Sequence, residues 1–345
     1  MLHRLAPGEP LGLLALLGGG VLALGFCVAA AAGIGDFNIP LRTVFLAVTN
    51  NLDLTAAPLD RIEESVVWNL RLSRALVAAL CGAGLAICGA ILQSLLRNPL
   101  AEPFVLGVSA GASTGAVAVI VLGIGAGAVS LSFGAFAGAF AAFGFVALLS
   151  NGTVSGPNQT ILAGVAASQL FNALTSYIVM TSANAQQARD VMFWLLGSFG
   201  GVRWPEFQLL LAVIALSLVV CIWYARTLDA FAFGDEEAAS MGVSVGRVRI
   251  VLFGVTALMT ATIVSMVGAI GFVGLVVPHV ARFLVGPLHL RLLPACVVLG
   301  AVFMVTADIV SRVILPQQTL PIGVVTALVG VPFFSVLLYR ARNRM

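Results

Sequence analysis

The 345-residue chain contains no lysine. Without one it cannot form the GxxxxGK[ST] loop whose lysine reaches the nucleotide phosphates, so the usual machinery of ATP hydrolysis is excluded. Charge of either sign is scarce. Only 9% of residues are charged, against roughly 25% in soluble globular chains, which excludes a water-soluble domain. Disorder is excluded by the opposite imbalance, since 60% of residues are hydrophobic. The 17 basic residues are all arginine, give a net charge of +3 and are scattered, unlike the clustered basic face of a nucleic-acid binder. The three histidines, His3, His279 and His289, make no HExxH and no i,i+4 pair. The five cysteines, Cys27, Cys81, Cys88, Cys221 and Cys296, sit inside apolar runs without CxxC or other ligand spacing, and read as small packing residues. No catalytic constellation, metal site or cofactor site is visible.

What the chain has is long apolar runs. They cover 11–33, 72–96, 104–124, 129–149, 158–181, 205–225, 248–269, 271–285, 293–314 and 321–339. A membrane span takes about 20 apolar residues, so the expectation is an all-α integral membrane protein. Its ten transmembrane helices would form one bundle, a single domain over 1–345. The first run reads as a retained helix rather than a cleaved signal peptide. The eighth is short and rich in Gly and Pro, as expected of a broken helix that relies on neighbours for its backbone hydrogen bonds. Gly82, Gly84, Gly89, Gly134, Gly138 and Gly144 read as close-packing positions. Gly89-Ala-Ile and Gly268-Ala-Ile each precede a proline ten residues on (Pro99, Pro278), a faint echo of the inverted repeats found in transporters. With the N-terminus inside, ten arginines, among them Arg4, Arg97, Arg226, Arg340 and Arg344, lie inside, against seven outside (Arg42, Arg61, Arg71, Arg74, Arg189, Arg203 and Arg312). Asp36, Asp53, Asp60, Glu63, Glu64, Asp190 and Glu206 then lie outside, and both termini are cytoplasmic.

Polar stretches interrupt the runs at 34–71, 97–103, 182–204 and 226–249. In the last of these, Asp235-Glu-Glu237 suits the first turn of a short helix, where acidic residues meet the positive dipole end, and Gly242 suits its close. Such a helix is either a plain connection or a docking element for a soluble partner. Residues 185–190 read as an external helix placed to gate a pore. Asp308 precedes Arg312 by one helical turn, so the two are expected to pair.

Six segments, in matching order, resemble the permease subunits of the ABC importers for ferric siderophores, haem and cobalamin. They are Arg71-Leu-Ser-Arg74, Gly89-Ala-Ile-Leu-Gln-Ser-Leu-Leu-Arg-Asn-Pro-Leu-Ala-Glu-Pro103, Leu106-Gly-Val-Ser-Ala-Gly111, Gly234-Asp-Glu-Glu-Ala-Ala-Ser-Met-Gly242, Gly271-Phe-Val-Gly-Leu-Val-Val-Pro-His-Val-Ala-Arg282 and Leu320-Pro-Ile-Gly-Val-Val-Thr-Ala327. The resemblance implies a homodimeric pore in a bacterial inner membrane, with two ATP-binding cassette subunits and a periplasmic or lipid-anchored substrate-binding protein. Membrane lipid surrounds it, no nucleic acid is involved, and this chain has no enzymatic activity or cofactor of its own. ATP and Mg would sit on the ATPase subunits. The expected cargo is an iron chelate, a ferric siderophore, with haem or cobalamin as alternatives.

The same resemblance makes Gly234, Asp235, Glu236, Glu237, Ala238, Ala239 and Gly242 the ATPase coupling loop. Arg71, Arg74 and Arg312 become receptors for carboxylates on the binding protein, a task that suits the planar guanidinium. Ser73 departs from the proline of many relatives and should loosen the turn into the second span. The fifth and tenth spans would line the pore, with Gln169, Asn172 and Ser176 as a polar stripe on the fifth; interhelical hydrogen bonding is the competing role for that stripe. Asn98-Pro99 reads as a helix stop or a contact near the coupling region, and Pro278-His279 as structural rather than haem-binding. An ion-coupled secondary transporter would want buried, partnered acids or bases in mid-span, whereas Asp308, the chief acid inside a run, is placed to pair with Arg312 near the external end; a membrane enzyme would want a cluster of His or acids at one depth, and none is present.

Overall fold

In hydrocarbon a chain satisfies its own backbone only as a helix or a closed barrel. The computed structural model describes residues 10–35, 37–124, 129–150, 157–315 and 318–342, and His3, Arg4, Asp36 and Arg344 lie outside these. Among the described residues there are fifteen α-helices and no strand. In chain order they are α1 (Pro10–Gly33), α2 (Leu41–Asn51), α3 (Arg61–Ser65), α4 (Ser73–Leu95), α5 (Val108–Leu122), α6 (Leu131–Leu149), α7 (Pro157–Ser182), α8 (Ala185–Leu196), α9 (Trp204–Trp223), α10 (Ala225–Ala230), α11 (Asp235–Ser240), α12 (Val245–Val267), α13 (Val273–Val285), α14 (His289–Val313) and α15 (Ile322–Arg342). All ten expected runs are helical. Seven helices are long and apolar enough to cross a membrane, and α5, α13 and the apolar part of α15 are shorter.

Three boundaries differ from the sequence reading, each for a local reason. The second span begins earlier than residue 72. α3, a π-helical turn over Val66–Leu72 and α4 run on as one 35-residue helix from Arg61 to Leu95. Ser73 therefore opens no loosened turn. It is buried, and its hydroxyl donates to the Asn69 carbonyl at 2.8 Å. The third run divides because Pro103–Leu106 form a 3-10 turn and Gly107 takes φ +69°, so α5 starts only at Val108. The eighth is short but not itself broken: Gly268 at φ +77° ends α12, Phe272 at φ +69° precedes α13, and α13 then runs on to Val285 with Pro278 inside it, so the break lies before the run. The break borrows a partner, the Ser198 N–H donating to Val267 O at 2.8 Å, while Gln93 Nε2 donates at 3.0 Å to Gly274 O, the carbonyl that Pro278 leaves without a helical N–H.

α4 forms the centre, with 89% of its most apolar window buried against 0% for α1. Its small residues allow this. A Cβ on Gly82 would fall 2.0 Å from the Gly300 carbonyl oxygen of α14, and one on Gly300 would fall 2.3 Å from that of Gly82. Gly89 meets Gly274 of α13 just as closely, and Gly111 meets Gly138 across α5 and α6. Gly144 has nothing near its Cβ position and is not a packing glycine within this chain. The Gly89 and Gly268 echo has no structural counterpart, since one lies inside α4 and the other terminates α12. α1 ends, α4 begins and α14 ends at one pole, here the Arg312 end. α10 and α11 lie at the other. α1 begins at the α11 end, and α15 sets out from the Arg312 end, where the Ile322 N–H donates to Gly197 O at 3.1 Å.

Candidate functional site

At the α11 end, the six residues Asp235–Ser240 form the short helix expected there, with Asp235, Glu236 and Glu237 in its first turn. Gly234 precedes it at φ +120° and Gly242 follows at φ +85°. The Gly242 N–H donates to Ala239 O at 2.9 Å and that of Val243 to Ala238 O at 3.1 Å. Both bonds belong to the Schellman close that a left-handed glycine permits. Ala238 is the buried anchor, while Glu236, Glu237, Ala239 and Gly242 are exposed. Phe233 and Met241, 70% and 60% exposed, flank them as apolar shoulders.

Asp235 faces the other way. Its carboxylate takes Arg249 of α12 at 2.9 Å through both oxygens, and Arg97 approaches to 3.8 Å. The Arg249 guanidinium is buried and lies over the Phe231 ring at 5.7 Å. Arg97 itself holds φ +46° at the end of α4, where its N–H and that of Asn98 turn back to Ser94 O and Gln93 O. Glycine usually fills that position. An arginine there places a guanidinium against the α11 segment. Asn98 then stops the helix by accepting the Leu100 N–H at 2.9 Å. Glu102, further along this connection, accepts the Phe272 N–H at 3.1 Å. Burial pushes its carboxyl above the ordinary value, and the Phe272 hydrogen bond opposes that.

At the Arg312 end, the three arginines named from the sequence converge, and all of them bond internally. Arg71, carried on the π-helical turn, is buried. It donates to the carbonyls of Ala32, Gly33 and Phe37 at 3.2, 2.8 and 2.6 Å, with its guanidinium 4.7 Å from the Phe37 ring centre. Arg312 donates to Ala31 O at 3.0 Å and Ile34 O at 2.7 Å. Together these two cations close the carbonyl end of α1, where positive charge is favoured. Arg74 forks onto Asp308 Oδ1 at 2.9 and 2.7 Å, and Arg312 reaches Oδ2 at 3.2 Å. Asp308 is wholly buried between them. The expected Asp308–Arg312 pair is therefore present, and Arg74 is the partner that sequence spacing could not reveal across 234 residues.

Gln169, Asn172 and Ser176 all lie exposed on one face of α7, among exposed Leu162, Val165 and Tyr177. Ser176 donates back to Asn172 O at 2.9 Å. The interhelical hydrogen bonding of α7 falls to another residue, Thr175, whose hydroxyl meets Thr114 of α5 at 2.9 Å. Residues 185–196 form α8, capped by Asn184 and Gln187. Its end meets the α12–α13 break and the start of α15, with the Trp194 carbonyl 2.2 Å from where a Cβ on Gly268 would sit. Sequence reasoning did not pair Arg97 and Arg249 with Asp235, because neither lies within a helical turn of it in the chain.

Comparison with known proteins bears on the same architecture. The cobalamin import system permease protein BtuC of Halobacterium salinarum is 41% identical over 288 residues, covering 82% of this chain and 77% of that one. The iron(3+)-hydroxamate import system permease protein FhuB of Bacillus subtilis is 35% identical over 326 residues, covering 94% and 82%. An ABC transporter assigned to the metal-chelate type, solved in an inward-facing conformation, superposes with a TM-score of 0.82 at 30% identity, covering 94% of this chain and 98% of that one. With the apolar bundle and the projecting α11, this defines an integral-membrane permease of the ABC importer class. The chain belongs to the FecCD transport family, which it matches over residues 22–340.

Proposed function

We propose that two copies of this chain form the translocation path of a binding-protein-dependent importer in a bacterial inner membrane. Both termini and the α11 end are cytoplasmic, and an ATP-binding cassette subunit grips α11 of each copy. ATP and Mg belong to those subunits, and this chain hydrolyses nothing. The observation that carries the reading is α11 itself. It is a helix closed at both ends by glycines, anchored by Asp235 and Ala238, with Glu236, Glu237, Phe233 and Met241 left exposed. A rigid, anchored projection can transmit a push, whereas a loose loop would absorb it. ATP-driven closure then works by binding one global state better than the other.

At the opposite end, a periplasmic or lipid-anchored binding protein seats on the pole that carries Arg71, Arg74 and Arg312; because these guanidiniums are largely engaged internally, docking carboxylates would have to share them with Asp308 and the α1 carbonyls. The exposed polar stripe Gln169, Asn172 and Ser176 on α7 suits a water-filled path between two copies better than lipid.

The cargo is a bulky metal chelate. The two relatives support different members of that class. Identity favours cobalamin, at 41% against 35%. The ferric siderophore expected from the sequence is the second reading, supported by the hydroxamate permease, whose match covers more of this chain. Vesicles holding the whole complex test both. ATP-dependent accumulation of labelled cobalamin, with none of ferric hydroxamate, is the expected result; the reverse selects the siderophore. Uptake driven by an ion gradient without ATP sinks the importer reading altogether.

A further inference from the structure

A cavity of about 560 Å³ opens beside α10, just before α11, lined among others by Leu228, Asp229, Phe233, Arg97, Pro99 and Leu288. Three side chains from three different helices bridge its back wall. Asp229 of α10 accepts from His289 twice through Oδ1, from the ring Nδ1 at 2.6 Å and from the backbone N–H at 2.9 Å. The other ring nitrogen, Nε2, lies 2.7 Å from the Ser94 hydroxyl in the last turn of α4. His289 is 5% exposed at the first residue of α14. The carboxylate on Nδ1 fixes a proton there, so Nε2 accepts from the Ser94 hydroxyl. Should Nε2 also be protonated, Ser94 Oγ accepts instead and its hydroxyl turns to Ala90 O, 3.0 Å away. The chain of bonds is continuous from α10 to α4 in both forms. The neighbouring Gln93 ties the same turn to α13, donating to Gly274 O at 3.0 Å and accepting from Arg282.

We propose that Asp229, His289 and Ser94 are positioning residues, a strut that carries displacement of the α10–α11 segment into α4 and α14. Two further observations give the strut its effect. α4 and α14 approach backbone to backbone at Gly82 and Gly300, a contact with no room to slide apart, and in the proposal they move as one body. The far end of that body holds Arg74, Asp308 and Arg312. A push at α11 is thereby delivered to the opposite pole, and the cavity beside α10 is the room in which the segment shifts. A bistable packed element with a rigid connection is what converts a small local shift into a large one. The inference rests on the reading of α11 as the ATPase contact.

The test uses the complete complex in vesicles, reading ATP hydrolysis and cargo uptake together. His289→Gln and Asp229→Asn should leave the assembled complex and the KM for ATP unchanged, while cargo moved per ATP falls about tenfold, the size expected for losing a buried charge-assisted hydrogen bond. The double variant should be no worse than either single one, because both break the same strut. An unchanged ratio of uptake to hydrolysis in both single variants overturns the proposal. So does a proportional fall of both activities with less assembled complex, which marks a mere brace. If His289→Gln does not assemble, Ser94→Ala decides. It removes one hydroxyl and leaves the Asp229–His289 pair intact, and a lowered ratio supports the strut while an unchanged one refutes it. Glu236→Arg with Glu237→Arg keeps the two hypotheses apart. If that variant binds the ATPase normally, the α11 reading fails, whatever the strut variants do.

Discussion

Arg74, Asp308 and Arg312 form a buried triad in which one carboxylate serves two cations. Taking charges out of water costs free energy that a well-made pair only offsets, but removing one partner leaves an uncompensated charge. Arg74→Ala should therefore cost about 3–5 kcal/mol, read as a lower melting temperature in detergent. Arg74→Ala with Asp308→Asn should recover part of that loss. If Arg74→Ala melts like the parent, the triad has no structural weight. The consequence for function is specific. Charge reversal at Arg71 or Arg74 is a poor probe of binding-protein docking, since it also breaks the end of α1 or sets a second acid against Asp308. The spacing of Arg71 and Arg74 marked them from the sequence as a pair, but their internal partners lie on α1 and α14, and no local pattern points to those.

At the scale of elements, the bundle is organised by glycine contacts more than by side-chain interdigitation. With lipid on the outside, no hydrophobic drive holds helices together, and close backbone approach maximises dispersion and weak polar contacts instead. Gly82→Leu should force α4 and α14 apart, because even a Cβ there meets a carbonyl oxygen at 2.0 Å. The expected outcome is loss of folded protein, or a melting temperature lowered by the equivalent of about 1–3 kcal/mol or more. Gly144→Leu, at a position with nothing nearby, is the matched control and should be silent in the isolated chain. Equal behaviour of the two variants would refute this account of the packing. The sequence singled out both glycines alike, and only their neighbours separate them.

For the whole molecule, polarity is distributed between two poles and one flank. The poles hold α11 and the arginine rim, and the flank is the α7 face with Gln169, Asn172 and Ser176. A lipid-facing stripe of this kind would leave polar groups without partners. In the proposed dimer a second copy would cover this face and leave a path between the two. Ser176→Cys, in a variant whose native cysteines are replaced, should form a disulfide-linked dimer on mild oxidation in membranes. Crosslinking that occurs instead at an exposed position on another helix, such as Phe283→Cys on α13, would exclude α7 from the interface.

The apolar runs determined the helical class, the order of the ten principal helices and the presence of a capped acidic helix after the sixth. These follow from local physics, since lipid forces backbone self-satisfaction and glycines and acids mark helix ends. The short reach of the third and eighth runs depended on backbone reversals at Gly107, Gly268 and Phe272. The inward turn of Asp235, the shared burial of Asp308 and the link from Asp229 through His289 to Ser94 were decided by tertiary structure alone. Each joins groups brought together only by packing, up to 234 residues apart in the chain, and a linear pattern carries no record of which distant side chain will stand 3 Å away.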